Sequence, residues 1–449
     1  MLSWKHNRNP EYNFMRRLLL VSLLLTLVFT SVQAQDNTAT PEPIPEPMPL
    51  IDEGDQDIVN ILLIGAATNN PNNPGLTDSL MVVSVNRTAG AVSVVSIPRD
   101  LYVLLPGYTM QKLTTAYFYG ENNLGEGGGI KLLLDTIRYN LGLNIDFYAR
   151  VNFTGFNDII DSVGGIDITV DCVIRDWKLK SPELDKQVAD NYEMFIMRVG
   201  RWHMDSELAL WYVRSRKTSS DLDRGRRQQD VLRALWRKIR AGNLLETLPQ
   251  TWAALTESVT TNMTLADAVG MLPLVANLDT SDIRYFTFHQ KHEVKNAVSP
   301  AGQSVLLPQR EAITEMLQLV VLPPTASQIR PQRPTVAVVN ASGVPTLDLV
   351  AADRLELEGF RTTVIDEGTV QYREFNHVVD YSGATKGSPL GKLTKVLRVT
   401  DDGIEITPDS NRDYDYKVYV GAMYQYWSCT RDVIQPTPEQ LAEATQEGG

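Results

Sequence analysis

Cysteine is almost missing from this chain of 449 residues: Cys172 and Cys429 are the only two. That excludes a cysteine-ligated metal cluster and leaves either one long-range disulfide or two separate thiols. Histidine is nearly as scarce, with five, and the close pair His289 and His292 has no neighbouring cysteine or third ligand to complete a metal site. An excess of basic charge is missing too. Lys and Arg number 42 against 54 Asp and Glu, for a net charge of -12, which speaks against nucleic acid as a partner because phosphate-backbone affinity needs a cationic field. A glycine-rich phosphate loop following a strand is absent as well: GEGGGI, Gly125 to Ile130, follows a polar loop and reads as flexible. The chain is 43% hydrophobic, ample for real cores, and its length suits two or three domains.

Against this acidic background, arginine is concentrated between Leu208 and Leu232, where Arg214, Arg216, Arg224, Arg226 and Arg227 fall together. Guanidinium groups grip phosphate oxygens two at a time, so the cluster points to a small phosphorylated ligand held in one orientation. If WYVRSR is a strand, Arg214 and Arg216 share one face. Asp221 then reads as an N-cap, and Arg224, Arg227 and Gln228 lie on one face of the first helical turns, whose free amides also favour an anion. A solvated basic helix face is the bland alternative.

The N-terminus bears on compartment. Lys5, Arg8, Arg16 and Arg17 precede the apolar run Leu18 to Val32, and the residues after it are acidic, which orients residues 1–17 to the cytoplasm and the bulk of the chain outside. Residues 18–34 read as a single-pass anchor in the cell membrane, or as a secretory signal cleaved after SVQA, leaving a secreted protein. Residues 35–56 form a Pro-rich tether. A first domain is expected over 57–322, a linker over 323–334, a smaller α/β domain over 335–429 and a disordered tail over 430–449.

In the first domain IVNILLIG reads as a buried strand, and LMVVSV and VSVVSI around the turn Asn86 to Gly90 read as a hairpin. A hairpin places Asp78, before its first strand, beside Arg99, after its second. The pair could form a cation-and-phosphate site or a plain salt bridge at a strand end. Further on, Phe153, Phe156, Ile159, Ile160 and Val163 could line a groove for a lipid tail, or serve as ordinary helix core.

These segments in order, ILLIG (61–65), TDSLMVVSVN (77–86), VSIPRD (95–100), KLTTAY (112–117), NIDFYARVNFTGFNDIIDSVGGIDI (144–168) and ALWYVRSR through DLDRGRRQQ (209–229), resemble the LytR-CpsA-Psr family over about residues 58 to 240. The resemblance implies a three-layer α-β-α sandwich with a second, smaller α/β domain, since VAVVNASGV is similar to the start of the LytR-type C-terminal domain often appended to this family. It also implies an extracytoplasmic phosphotransferase that moves a glycopolymer from a polyprenyl-pyrophosphate carrier at the membrane onto peptidoglycan. On that resemblance Arg99, Arg214, Arg216, Arg224 and Gln228 would bind pyrophosphate, Arg99 and Asp78 would be catalytic, and Asp78 would hold Mg²⁺ (or Mn²⁺).

Two positions depart from the family's pattern: Ala67 stands where a second metal-binding acid is expected, and Leu76 where an arginine is. The asparagines of residues 69–73 could supply a replacement oxygen. A non-catalytic binder of polyprenyl-phosphate lipid and an envelope scaffold or regulator are therefore the other two readings.

Overall fold

Period-two burial in the first strands sets the layers of the larger sheet. The computed structural model describes residues 44–70, 73–242, 252, 256–278, 283–322, 333–383 and 387–429. The chain forms two compact units, Met1–Pro45 and Glu46–Gly449, and the fold below lies in the second. It runs β1 (Ile58–Ala66), β2 (Thr77–Asn86), β3 (Ala91–Ser96), the ribbon β4 (Tyr102–Leu104) and β5 (Met110–Lys112), then α1 (Ala116–Leu124) and α2 (Gly128–Leu141). Next come β6 (Phe147–Val151), α3 (Phe153–Ser162), β7 (Ile166–Val170), β8 (Ile174–Leu179), β9 (Tyr192–Met197), β10 (Gly200–Met204), α4 (Ser206–Arg214) and α5 (Asp221–Ala241). The first body ends with β11 (Val259–Thr261), α6 (Leu265–Asn277), β12 (Ile283–Thr287), β13 (Val294–Val298), β14 (Ser304–Pro308) and α7 (Arg310–Val321).

The main sheet has the order β11-β6-β1-β2-β3-β12. Leu62, Ile64, Leu80 and Val82 bury one face against Leu133 and Ile137 of α2 and Ile313 and Leu317 of α7. Val59, Val85 and Val92 bury the other against Trp236 of α5 and Leu274 of α6. Successive side chains of a strand alternate between these faces, which is why the central strands read as unbroken aliphatic runs. The result is a three-layer α-β-α sandwich.

A second sheet, order β16-β15-β19-β17-β18, is built from β15 (Thr335–Asn340), β16 (Arg361–Val364), β17 (His377–Asp380), β18 (Ile404–Ile406) and β19 (Tyr416–Val420). Helices α8 (Leu347–Leu357) and α9 (Leu390–Leu397) cover it through Leu347, Val350, Leu355, Leu393 and Leu397. The larger body holds this smaller one by charge and by covalent linkage. Asp353 of α8 is buried between Arg233, which donates to its Oδ2, and Arg237, whose Nη2 donates to Oδ1 at 2.7 Å. Cys172 and Cys429 form a disulfide across a sequence separation of 257 residues, and beside it Ser428 Oγ donates to Asp171 O at 2.6 Å.

Part of the expected tether is packed: Met48 and Ile51 are buried, and their amides donate to Tyr139 O at 2.8 Å and Gly142 O at 2.9 Å at the end of α2. A Cβ on Gly142, whose φ is +66°, would stand 2.1 Å from Pro49 O, so glycine is needed there. The anchor or signal segment, residues 323–332 of the linker and the tail from 430 lie outside the described residues.

Candidate functional site

The register between β1 and β2 shifts at the end where the site lies. Gly65 pairs with Ser79 but Ala66 pairs with Thr77, leaving Asp78 as the extra residue of a bulge, and a bulge re-aims the side chain it carries. Asp78 Oδ1 accepts from Arg99 Nη1, as the hairpin of β2 and β3 leads one to expect. Arg99 Nε donates to Asp221 Oδ2 at 3.1 Å, and Arg224 Nη2 donates to the Asp78 carbonyl at 3.3 Å. Arg216 Nη2 lies 3.7 Å from Asp78 Oδ1.

WYVRSR is not a strand: α4 runs from Ser206 to Arg214, capped by Asp205 Oδ1 on Leu208 N at 2.8 Å, and buries Ala209, Tyr212 and Val213 at helical spacing. Asp221 is the first residue of α5 and Ser220 is its N-cap, with Ser220 Oγ accepting from Asp223 N at 3.2 Å. Asp221 is thereby free to pair with Arg99 and Arg224.

Arg227 does not face the ligand. Its guanidinium is fully buried and donates to the carbonyls of Tyr212 and Ser215, to Asp223 Oδ2 at 3.2 Å and to Ser219 Oγ at 2.8 Å. It pins the turn that carries Arg214 and Arg216. Asp176 of β8 holds the same turn from outside, accepting from Arg216 N at 2.7 Å and Lys217 N at 3.1 Å. Neither role has a local sequence signal, because both partners come from tertiary contact.

Electrostatics suit an anion. Burial pulls the Arg224 guanidinium down to about 10, with the neighbouring charges of Arg99 and Arg216 adding to the fall. Arg224 Nη1 is at ion-pair distance from Asp221 Oδ1, 3.0 Å, yet makes no hydrogen bond among the described residues, so a buried donor is left for a ligand. Burial raises the Asp221 carboxyl, but the hydrogen bond from Asp100 and the charges of Arg224 and Arg99 outweigh it and hold the group down at about 2. Burial and that same hydrogen bond push Asp100 up, so the two acids shift in opposite directions. Gln228 Oε1 accepts from Ser79 Oγ at 2.8 Å, which leaves the amide N–H groups of Gln228 for the cavity.

A cavity of about 680 Å³ opens at this cluster. Asp78, Arg214, Arg216, Arg224 and Gln228 stand at its polar end, and Phe153, Phe156, Ile159 and Ile160 line its apolar part with Leu210 and Leu235. Val163 does not line it; as the C-cap of α3 it packs on the adjoining core instead. Arg214 lies over the Phe153 ring at 4.4 Å, joining the polar and apolar parts. Arg99 and Asp221 line a small adjoining cleft that shares Asp78, Arg224 and Gln228 with the large cavity. Four of the five expected anion ligands, Arg214, Arg216, Arg224 and Gln228, thus line the large cavity, and Arg99 lines the adjoining cleft.

Among the described residues no group of three His, Cys, Asp or Glu is placed to hold a metal. Ala67 N donates to Leu76 O at 2.9 Å, so the two departures face each other across the strand ends. Of the loop asparagines, Asn69 Oδ1 accepts from Thr154 N at 3.3 Å and Asn73 Oδ1 from Gly75 N at 3.0 Å, and Asn72 lies outside the described residues.

A protein-family model described as the LytR_cpsA_psr family matches residues 23–318. The chain is 30% identical over 228 residues to a Bacillus subtilis (strain 168) protein named polyisoprenyl-teichoic acid–peptidoglycan teichoic acid transferase TagT, covering 50% of this chain and 66% of that protein. It is 31% identical over 209 residues to a Bacillus mycoides (strain KBAB4) protein named polyisoprenyl-teichoic acid–peptidoglycan teichoic acid transferase TagU, covering 46% and 60%. The chain thus spans less than two thirds of the length of these relatives. The crystal structure of B. subtilis TagV is 24% identical, with a TM-score of 0.48, covering 60% of this chain and 98% of that one.

Proposed function

This chain belongs to the LytR-CpsA-Psr family, and on that premise we propose that it is an extracytoplasmic phosphotransferase that moves a glycopolymer from a polyprenyl-pyrophosphate carrier onto peptidoglycan. One observation carries the reading: an apolar slot of about 680 Å³ ends at converging arginines. A prenyl chain gains roughly 0.8 kcal/mol for each methylene it buries, and the pyrophosphate then meets Arg214, Arg216, Arg224 and the Gln228 amide. The curated relatives carry transferase names for a teichoic acid substrate.

The chemistry asked of the protein is positioning and charge neutralisation. An acceptor hydroxyl oxygen bonds to the glycan-side phosphorus, the bond from that phosphorus to the bridging oxygen breaks, and lipid monophosphate leaves. The hydroxyl proton passes to solvent. Arg99, fixed by Asp78 and Asp221, faces the charge that grows on the transferring phosphate.

A magnesium ion held jointly by the protein and the substrate belongs to the same proposal. Mg²⁺ is commonly bound through one or two carboxylates together with substrate phosphates, and Asp78 supplies one carboxylate at the pocket's polar end. When bound, the ion would neutralise pyrophosphate charge and activate the phosphorus. The membrane-anchored, outward-facing location belongs to the same proposal; among the described residues no helix is long and apolar enough to cross a membrane.

The test is transfer of labelled glycan from a prenyl-pyrophosphate donor to peptidoglycan by purified protein. Lipid binding without transfer at any magnesium concentration would favour the non-catalytic binder.

A further inference from the structure

Helix α5 separates two cavities. Arg224, Gln228 and Leu235 line the apolar slot, whereas Arg226, Asp230 and Arg233 line a second cavity of about 460 Å³. Residues of an α-helix advance about 100° each, so these two sets lie about half a turn apart, on opposite sides of the helix. The cleft that holds Arg99 lies at the head of the helix and shares Thr287 with the second cavity. Slot, phosphate cleft and second cavity therefore follow one another around the start of α5.

The second cavity is chemically unlike the slot. Arginines 226, 233 and 354 face acids such as Asp230, Glu293 and Glu358, with Tyr285 among them. Phe286, Met316, Leu319 and Leu357 give the wall apolar stretches between these charges, and a polyanion would meet acids as well as arginines. A neutral ligand rich in hydroxyls and amides finds both donors and acceptors. Two imidazoles are prepared for one: buried Glu293 takes His292 Nδ1 at 2.7 Å and stands 3.4 Å from His289 Nδ1, leaving the exposed rings' Nε2 atoms outward. Arg354, from α8 of the smaller body, has a buried Nε with no hydrogen-bond partner among the described residues.

We infer that this cavity at the junction of the two bodies is the binding site for the acceptor saccharide, an amino-sugar strand whose free hydroxyl enters the phosphate cleft past Thr287. In-line displacement at phosphorus places nucleophile and leaving group on opposite sides, and the lipid leaving group occupies the slot on the far side of α5. The smaller body thereby contributes part of the substrate site through Arg354 and Glu358. This rests on the transferase reading.

The experiment uses the full chain, Ala312→Trp, which fills the cavity from α7, and the double variant His289→Ala/His292→Ala. Calorimetric titration with an N-acetylglucosamine oligomer should show binding to the unaltered protein that is lost in Ala312→Trp. In transfer assays with soluble uncrosslinked peptidoglycan strands, acceptor KM should rise about ten-fold or more in both variants while donor KM holds. Absence of oligosaccharide binding by the unaltered protein, or an unchanged acceptor KM in Ala312→Trp, overturns the inference. Saccharide binding without any transfer supports this site and instead sinks the transferase reading.

Discussion

The Asp221 carboxylate lies 3.1 Å from Arg99 Nε, and its other oxygen lies 3.0 Å from Arg224 Nη1. One acid thus sets the orientation of two arginines that come from a hairpin end and a helix start. The site's shape depends on that acid staying ionised.

Asp221 therefore makes a pH prediction. Its folded-state carboxyl sits at about 2, below the ordinary 3.8, so its contribution is present above about 3.8 and is lost as pH falls through about 2. Asp100, which is raised, acts with the opposite sign and gains from protonation as pH falls. Melting of the unaltered protein should drop between pH 4 and pH 2, and Asp221→Asn should melt lower at pH 5 but lose less over that window. Parallel melting curves for the two proteins would remove Asp221 from this role.

Arg99 and Arg216 should separate binding from stability. The Arg216 side chain is half exposed and Arg99 is tied into three acids, with side-chain exposures of 50% and 16%. A charged hydrogen bond to a phosphate is worth roughly 1.5–3 kcal/mol. Arg216→Ala should thus weaken prenyl-pyrophosphate binding about ten-fold or more, with the apo melting temperature nearly unchanged. Arg99→Ala should lose binding and also melt several degrees lower, because Asp78, Asp100 and Asp221 are left without their common partner. Calorimetry and lipid titration on both variants check the contrast.

Arg227→Ala should behave as a folding defect first. Removing one partner of a buried ion pair costs about 3–5 kcal/mol, and here the carbonyls of Tyr212 and Ser215 also lose their donor. Denaturant midpoints should fall accordingly. Lipid binding should fail through disorder of the Arg214 and Arg216 turn, visible as faster amide exchange over residues 214–219.

The disulfide predicts a coupling between the two bodies. Closing a loop of this length, with the cysteines 257 residues apart, stabilises by about 5 kcal/mol through the chain entropy of the unfolded state. Cys172→Ser should lower the melting temperature and speed amide exchange at Ser428, whose hydroxyl donates to Asp171 O. Unchanged exchange there would mean that the Arg233, Arg237 and Asp353 cluster and the other contacts between the bodies hold them together without the disulfide.

What the sequence makes legible is local in character. The unbroken aliphatic run of ILLIG and the valine-rich VSVVSI report strands buried on two faces, and hairpin geometry brings Asp78 to Arg99. The stretch ALWYVRSR misleads because Trp, Tyr and Val favour strands by propensity, while the cap at Asp205 and the buried spacing of Ala209, Tyr212 and Val213 decide for a helix. Arg227 looks like its neighbours in sequence and differs only in the carbonyls that fold around it. The Arg233 to Asp353 contact, 120 residues apart, and the bulge at Asp78 leave no periodic trace at all.

The two departures allow the magnesium proposal to be tested by addition. Ala67 and Leu76 face each other beside the bulge that carries Asp78, so Ala67→Asp brings a second carboxylate to the strand end and Leu76→Arg, at a position 41% exposed, brings a cation without burying it. A second carboxylate strengthens a hard cation site, whereas the arginine adds charge for the transferring phosphate. Ala67→Asp alone should lower the magnesium needed for half-maximal transfer several-fold, and Leu76→Arg alone should not. The double variant should show both the lower requirement and a faster rate, with prenyl-pyrophosphate binding no weaker than before. A requirement for magnesium that stays the same in all three, alongside intact lipid binding, would mean that Asp78 acts on Arg99 and not on a metal.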